Sequence, residues 1–174
     1  MEIYRIIKLI FKNLATIKQF LEDVVWGELD YLIIDTPPGT SDEHISICEY
    51  LMNYQPDGAV LVTTPQLVSL TDVRKEISFC KKLQIPILGL VENMSGFACP
   101  HCDCSYNIFS SGGGESLANQ TSIPFIGKIP INPLFNQVPE NSTIVNSLQT
   151  FPAIQNFVSN FITNKEIPQS QKTE

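Results

Sequence analysis

A basic excess and an uninterrupted apolar stretch are both missing from this 174-residue chain. Charged residues make up only 17% of it, and 18 acids against 11 bases leave a net charge of −7. That balance argues against nucleic acid or an anionic membrane surface as a partner, because phosphates and headgroups are drawn to basic surfaces. The apolar opening of the chain is broken by Arg5, Lys8, Lys12 and Lys18. It therefore fits neither a signal-peptide core nor a membrane span, and a cytoplasmic protein is expected. A phosphate loop of the form G-x-x-x-x-G-K-[ST] is absent as well. The one Gly-Lys pair, Gly127–Lys128, is followed by Ile129. On its own this chain is expected not to bind or hydrolyse ATP. No internal repeat is present.

What remains is a hydrophobic content of 43%, enough for one domain with a substantial core. Ile3, Ile6, Ile7, Ile10, Leu14, Ile17, Leu21 and Val24 recur at spacings of three and four, which predicts one long amphipathic helix. "LDYLIID" (29–35), "GAVLVTT" (58–64), "IPILGLVEN" (85–93) and "IPFIGKIP" (123–130) read as strands, the first two buried on both faces. Helices are expected between them. Thr40 and Glu43 in capping-box spacing precede a stripe of Ile45, Cys48 and Met52, and Ser69 with Asp72 precedes Val73, Ile77 and Cys80 facing inward. A closing helix is read at 151–163, followed by a polar tail at 164–174. Alternating strands and helices imply an α/β fold with a mostly parallel sheet, whose ligands sit at the carboxyl ends of strands. Asp35, Thr63, Thr64, Asn93 and Pro130 are expected along that edge.

Two motifs there can carry chemistry. In "IIDTPPGTSDEH" an aspartate ends a buried strand, a costly place for a charge unless a cation or strong donors meet it. In P-loop hydrolases such an aspartate orders the Mg²⁺ shell and a following glycine N–H meets the γ-phosphate. Asp35 and Gly39 fit those roles; alternatively Asp35 caps a turn stiffened by Pro37 and Pro38. In "ACPHCDC", Cys99 and Cys102 have the C-x-x-C spacing that brings two thiolates to one metal or one cluster face. A redox pair, part of a zinc site with Cys104 and His101, half of a Cys₄-ligated [4Fe–4S] site completed by a second subunit, and unligated loop thiols are the competing readings. The flanks SGFA and DCSYN read as loop, which does not favour the redox pair. Cys48 and Cys80 are expected in the core, and His44 at the surface. Gly112–Gly113–Gly114 is read as a flexible lead into a helix, or as backbone N–H groups available to an anion.

Taken together, "WGELDYLIIDTPPGTSDEH" (26–44), "VTTPQ" (62–66), "ENMSGFACPHC" (92–102), "FSSGGGESLA" (109–118) and "IPFIGKIPINP" (124–133) resemble the Mrp family of MinD-like P-loop ATPases. The close spacing of CPHC to FSSGGGE is most like its nucleotide-binding protein 2 branch, a cytosolic iron–sulfur cluster assembly factor. The resemblance covers roughly residues 14–165 and implies a partial P-loop NTPase fold of the MinD (SIMIBI-like) type, truncated at its N-terminus. Residues 1–163 would form the C-terminal part of that one domain, with an atypical start at 1–13. It further implies a [4Fe–4S] cluster bridged by Cys99 and Cys102 of two subunits, Asp35 in the Mg²⁺ and switch region, and Asn93 reading adenine. ATP and Mg²⁺ are the family's other ligands. Partners would be a second copy or the longer family paralogue, and apo iron–sulfur proteins as recipients. The alternative is a nucleotide-free fragment, inert or modulating its full-length partner.

Overall fold

The computed structural model describes residues 4–8, 19, 21–28, 30–36, 42–98, 105–131, 155, 156, 158 and 159. In chain order the elements are β1 (Tyr4–Lys8), β2 (Tyr31–Asp35), α1 (Asp42–Met52), β3 (Ala59–Thr63), α2 (Leu67–Lys82), β4 (Ile87–Ala98), β5 (Ser105–Tyr106), α3 (Gly113–Thr121) and β6 (Phe125–Ile131). They fall into two compact units: Met1–Ala59 with Asp72–Ile87, and Val60–Thr71 with Leu88–Glu174.

In the first unit β1 and β2 run parallel, in unbroken register from Tyr4↔Tyr31 to Lys8↔Asp35. The long N-terminal helix expected from the isoleucine spacing is thus replaced, at 4–8, by a strand. Isoleucine is stiff at χ1 and favours the pleated conformation, and β2 supplies the ladder that an isolated apolar segment lacks. Helix appears later, at residue 19 and at 21–23. β2 departs from expectation too: Leu32 and Ile33 are 39% and 48% exposed, so it is not buried on both faces. The helical stripes behave as read. Cys48 of α1 is buried with Ile45 and Met52 half-buried, and Val73, Ile77 and Cys80 form the buried line of α2. Tyr50 closes the unit at its surface, its hydroxyl donating to Glu22 at 2.6 Å and lying 3.0 Å from the Tyr54 hydroxyl.

The second unit is built around β4. This strand neighbours β3, pairs parallel with β6 from Leu90↔Phe125 to Phe97↔Ile131, and pairs antiparallel with β5. β3 buries one face only: Leu61 and Thr63 point inward while Val60 and Val62 are exposed, again short of the two-sided burial expected. α3 presents Gly114, Leu117 and Ala118 to the core at helical spacing. It ends at Ser122, which adopts a left-handed conformation (φ 56°). The N–H of Ile123 then bonds the Ala118 carbonyl at 3.0 Å, and the chain turns into β6. β4 outruns its predicted end at Asn93 by five residues, which matters for the site. Residues 155, 156, 158 and 159 are helical, within the predicted closing helix. The tail at 164–174 lies outside the described residues.

Candidate functional site

Gly39, Cys99, His101, Cys102 and Cys104 lie outside the described residues; the backbone on either side of the thiols lies within them. Phe97 pairs with Tyr106 and Ala98 with Ser105, antiparallel. Residues 99–104 therefore connect two paired strands, and the flanks SGFA and SY are strand where the sequence reads as loop. A two-residue strand carries no periodicity, so only the tertiary pairing reveals it. Neither flank is the helix start that lowers the pKa of a redox C-x-x-C thiol. Gly96 is favoured by its backbone conformation rather than by crowding, since a Cβ there would make only ordinary contacts. It sits at φ 82°, and a Cβ there would lie 3.4 Å from Asn107 Oδ1 and 3.6 Å from the Tyr106 carbonyl.

Upstream, β4 is irregular. Its ladder with β6 loses register between Asn93 and Phe97, and Met94 (φ 56°) and Gly96 both take left-handed conformations. Here lies the residue that sequence reasoning missed. Glu92 is fully buried, at 0% exposure. Its Oε1 accepts from the Ser95 hydroxyl at 2.5 Å and the Gly112 N–H at 3.2 Å, and its Oε2 accepts from the Gly114 N–H at 2.5 Å. α3 has no local side-chain cap; Glu92 supplies one from β4. The first N–H groups of a helix want an acceptor and favour negative charge, and burying a carboxylate is tolerable only with donors of this kind. The glycine triplet is thus neither a free anion cradle nor merely flexible. A Cβ on Gly114 would meet Glu92 Cβ and Oε2 at 3.0 Å, and one on Gly113 would meet Leu70 Cδ1 at 2.7 Å and the Pro65 carbonyl at 2.8 Å. A lone glutamate closing an apolar run, with an uncapped glycine helix start downstream, was the available signal.

The other predicted residues fall in both units. Asp35 ends β2 in the first unit, exposed, opposite Lys8 in the ladder. Asn93 lies in the second unit, half-buried, its Oδ1 accepting from the Met94 N–H at 2.9 Å. At the end of β3 the Thr63 hydroxyl is 3.0 Å from the Thr64 carbonyl and 3.1 Å from Ser69 Oγ, which accepts from the Thr64 N–H at 3.0 Å. Ser69 is therefore spent on this turn inside α2 and does not start the helix as a capping box with Asp72. Cys48 and Cys80 are buried thiols. Burial, then the neighbouring Cys80, pushes the Cys48 thiol up to about 11, and burial, then Glu76, raises that of Cys80. Both are core residues and poor nucleophiles. Among the described residues no group of three or more His, Cys, Asp or Glu side chains converges to hold a metal. Nor is any helix among them long and apolar enough to cross a membrane.

Known proteins resemble this chain in sequence and in fold. A cytosolic Fe-S cluster assembly factor, the NUBP2 homolog of Nematostella vectensis, is 56% identical over 153 residues, covering 87% of this chain and 56% of that protein. Among solved structures, the nucleotide-binding protein of Archaeoglobus fulgidus in complex with ADP is 40% identical with a TM-score of 0.62, covering 71% of this chain and 50% of that one. The cell division ATPase MinD of Pyrococcus furiosus, 21% identical, shares the fold with a TM-score of 0.52, over 85% of this chain and 57% of its own. The chain spans about half the length of the relatives it matches. The fold is accordingly of the MinD-like P-loop NTPase kind, a parallel sheet with flanking helices. The model of the NUBPL iron-transfer P-loop NTPases, within the ParA group, matches residues 9–164, and the chain belongs to that family.

Proposed function

We propose that this chain acts in cytosolic iron–sulfur cluster assembly, as a scaffold that holds a [4Fe–4S] cluster between two subunits and passes it to apo-proteins. The observation that carries the reading is the β4–β5 hairpin, with C-x-x-C on its six-residue connection. Two thiolates per chain suit a shared cluster, since a cubane takes four. Cys99 and Cys102 are the ligands, and the cluster is cargo. The second subunit is another copy or a longer relative. Asp35 and Gly39 belong to the Mg²⁺ and switch region and Asn93 to the adenine site. ATP use is assigned to the longer relatives, since the sequence here has no G-K-[ST] lysine to meet phosphate. Residues 1–163 make up the C-terminal part of one P-loop NTPase domain.

Anaerobic reconstitution with iron and sulfide tests this. A brown, dimeric product with about four irons per two chains, lost in the Cys99→Ala/Cys102→Ala double variant, is expected. Iron uptake unchanged in that variant would sink the reading, and a colourless product retaining metal would point to zinc.

A second reading, a nucleotide-free partner that modulates a longer relative, draws on the exposed Leu32, Ile33, Val60 and Val62. Strand faces of this kind are normally covered in an α/β protein. Reconstitution with and without the longer relative distinguishes the two, because a modulator lowers that relative's iron content.

A further inference from the structure

We propose that Glu92 is the positioning residue of the thiol hairpin, resting on the reading that Cys99 and Cys102 hold the cluster. β4 leaves regular pairing with β6 between Asn93 and Phe97, so this stretch loses its ladder shortly before the first cysteine. A substitute is built into it. Ser95, between the two left-handed residues Met94 and Gly96, donates to the same carboxylate that caps α3. Glu92 thereby ties three things to one point: the core of β4, the bulge that leads to Cys99, and the N-terminus of a helix whose Leu117 and Ala118 are buried. All three donors are neutral, so the tie does not depend on a surface ion pair that salt would screen.

Both carboxylate oxygens are used, and that makes the residue type specific. Glutamine presents one acceptor oxygen and one donor NH₂ group. If its oxygen meets Gly114, the NH₂ faces the Gly112 N–H, donor against donor. Aspartate is one methylene too short to reach both glycines from the same backbone position. Gly114 has no room for compensation, since even a Cβ there would touch Glu92.

The test compares wild type, Glu92→Gln, Ser95→Ala and a core control, Ile77→Val in α2, as full chains. Amide exchange is followed in the metal-free proteins at Ser95–Ala98 and Ser105–Tyr106, and release of iron to a chelator is followed in the reconstituted ones. Glu92→Gln is expected to speed exchange in these segments by about tenfold, the equivalent of one lost charge-assisted hydrogen bond, with a smaller change for Ser95→Ala. Iron release should accelerate in the same order while the far-ultraviolet spectrum stays that of wild type. The Ile77→Val control should lower the melting temperature without moving either readout. Unchanged hairpin exchange in Glu92→Gln overturns the proposal. So does faster exchange with unaltered iron release, or an Ile77→Val protein that matches Glu92→Gln. If wild type itself takes up no cluster, the functional reading fails instead, and the exchange arm still decides whether Glu92 holds the hairpin.

Discussion

β4 of the second unit and β2 of the first bury their side chains to different degrees. In the second, β4 carries Leu90 and Glu92 at 0% exposure and α3 packs Leu117 at 1%. In the first, β2 leaves Leu32 and Ile33 open to solvent although its ladder with β1 is regular. Backbone pairing alone does not make a core: a strand must also cover its side chains. The contrast divides along the proposed functions. The thiol hairpin grows from β4, the well-covered strand, whereas Asp35, assigned to the nucleotide, ends the open-faced β2. Positioning two cluster ligands asks for a well-packed base, and β4 with α3 provides one.

Paired truncations should expose this difference most strongly. Leu90→Ala is expected to destabilise the second unit by about 3 kcal/mol, through lost transfer energy and the cavity left behind. Leu32→Ala in the first should change stability by less than about 1 kcal/mol, as for surface sites generally. Urea denaturation measures both, and equal effects would mean that Leu32 is covered in solution. Next in size is Gly114→Ala. Its Cβ would lie 3.0 Å from Glu92 Oε2 and 3.1 Å from Thr63 Cγ2, so overpacking of about 2 kcal/mol is expected, against a helix-propensity gain of under about 1 kcal/mol. A neutral Gly114→Ala would show that the Glu92 cap has slack.

The sequence revealed what depends on neighbours in the chain and concealed what depends on distant ones. The α2 stripe of Val73, Ile77 and Cys80 was legible because its three residues lie within eight positions and share a helical face. β3, β4 and β6 were legible as apolar runs. At residues 4–8 the isoleucine spacing suited a helix, and the pairing with β2, 27 positions away in register, overrode it. The C-x-x-C motif was visible, but its strand flanks were not, since a hairpin of two pairs is specified by register alone. Glu92 was hidden for the same reason: its donors on α3 are 20 and 22 residues downstream, beyond any capping pattern confined to one turn.

The cysteines test the comparison by chemistry. With its thiol pushed up to about 11 by burial and by Cys80, Cys48 at pH 8 is about one part in a thousand thiolate. Its alkylation in the native protein should lag behind that of an unperturbed cysteine, of pKa about 8.5, by more than a hundredfold. The sign follows from the raised value: the protonated form is favoured by folding, so the stability it contributes is complete below the unfolded pKa near 9 and is lost as pH climbs through 11. The labelling rate should rise about tenfold per pH unit over that range. Rapid modification of Cys48 at pH 8 would mean that the first unit opens readily, and that its buried stripe is less secure than the structure indicates.

The smallest effect is expected from a second carboxylate on the same helix as the Glu92 cap. Glu115 in the first turn of α3 meets Lys128 Nζ at 2.7 Å, but the two side chains are 50% and 43% exposed. The Lys128 ammonium, its pKa raised chiefly by the Glu115 hydrogen bond, also lies 5.9 Å from the centre of the Phe125 ring. In water such a pair pays side-chain entropy and is screened, so Glu115→Gln should cost no more than about 0.5 kcal/mol, and less in high salt. Glu92→Gln makes the same chemical change at a site where water cannot replace the lost acceptor, and its effect should hardly respond to salt. Measuring both variants at low and high ionic strength separates a charge that decorates α3 from one that holds it in place. Equal salt sensitivity would mean that solvent reaches Glu92.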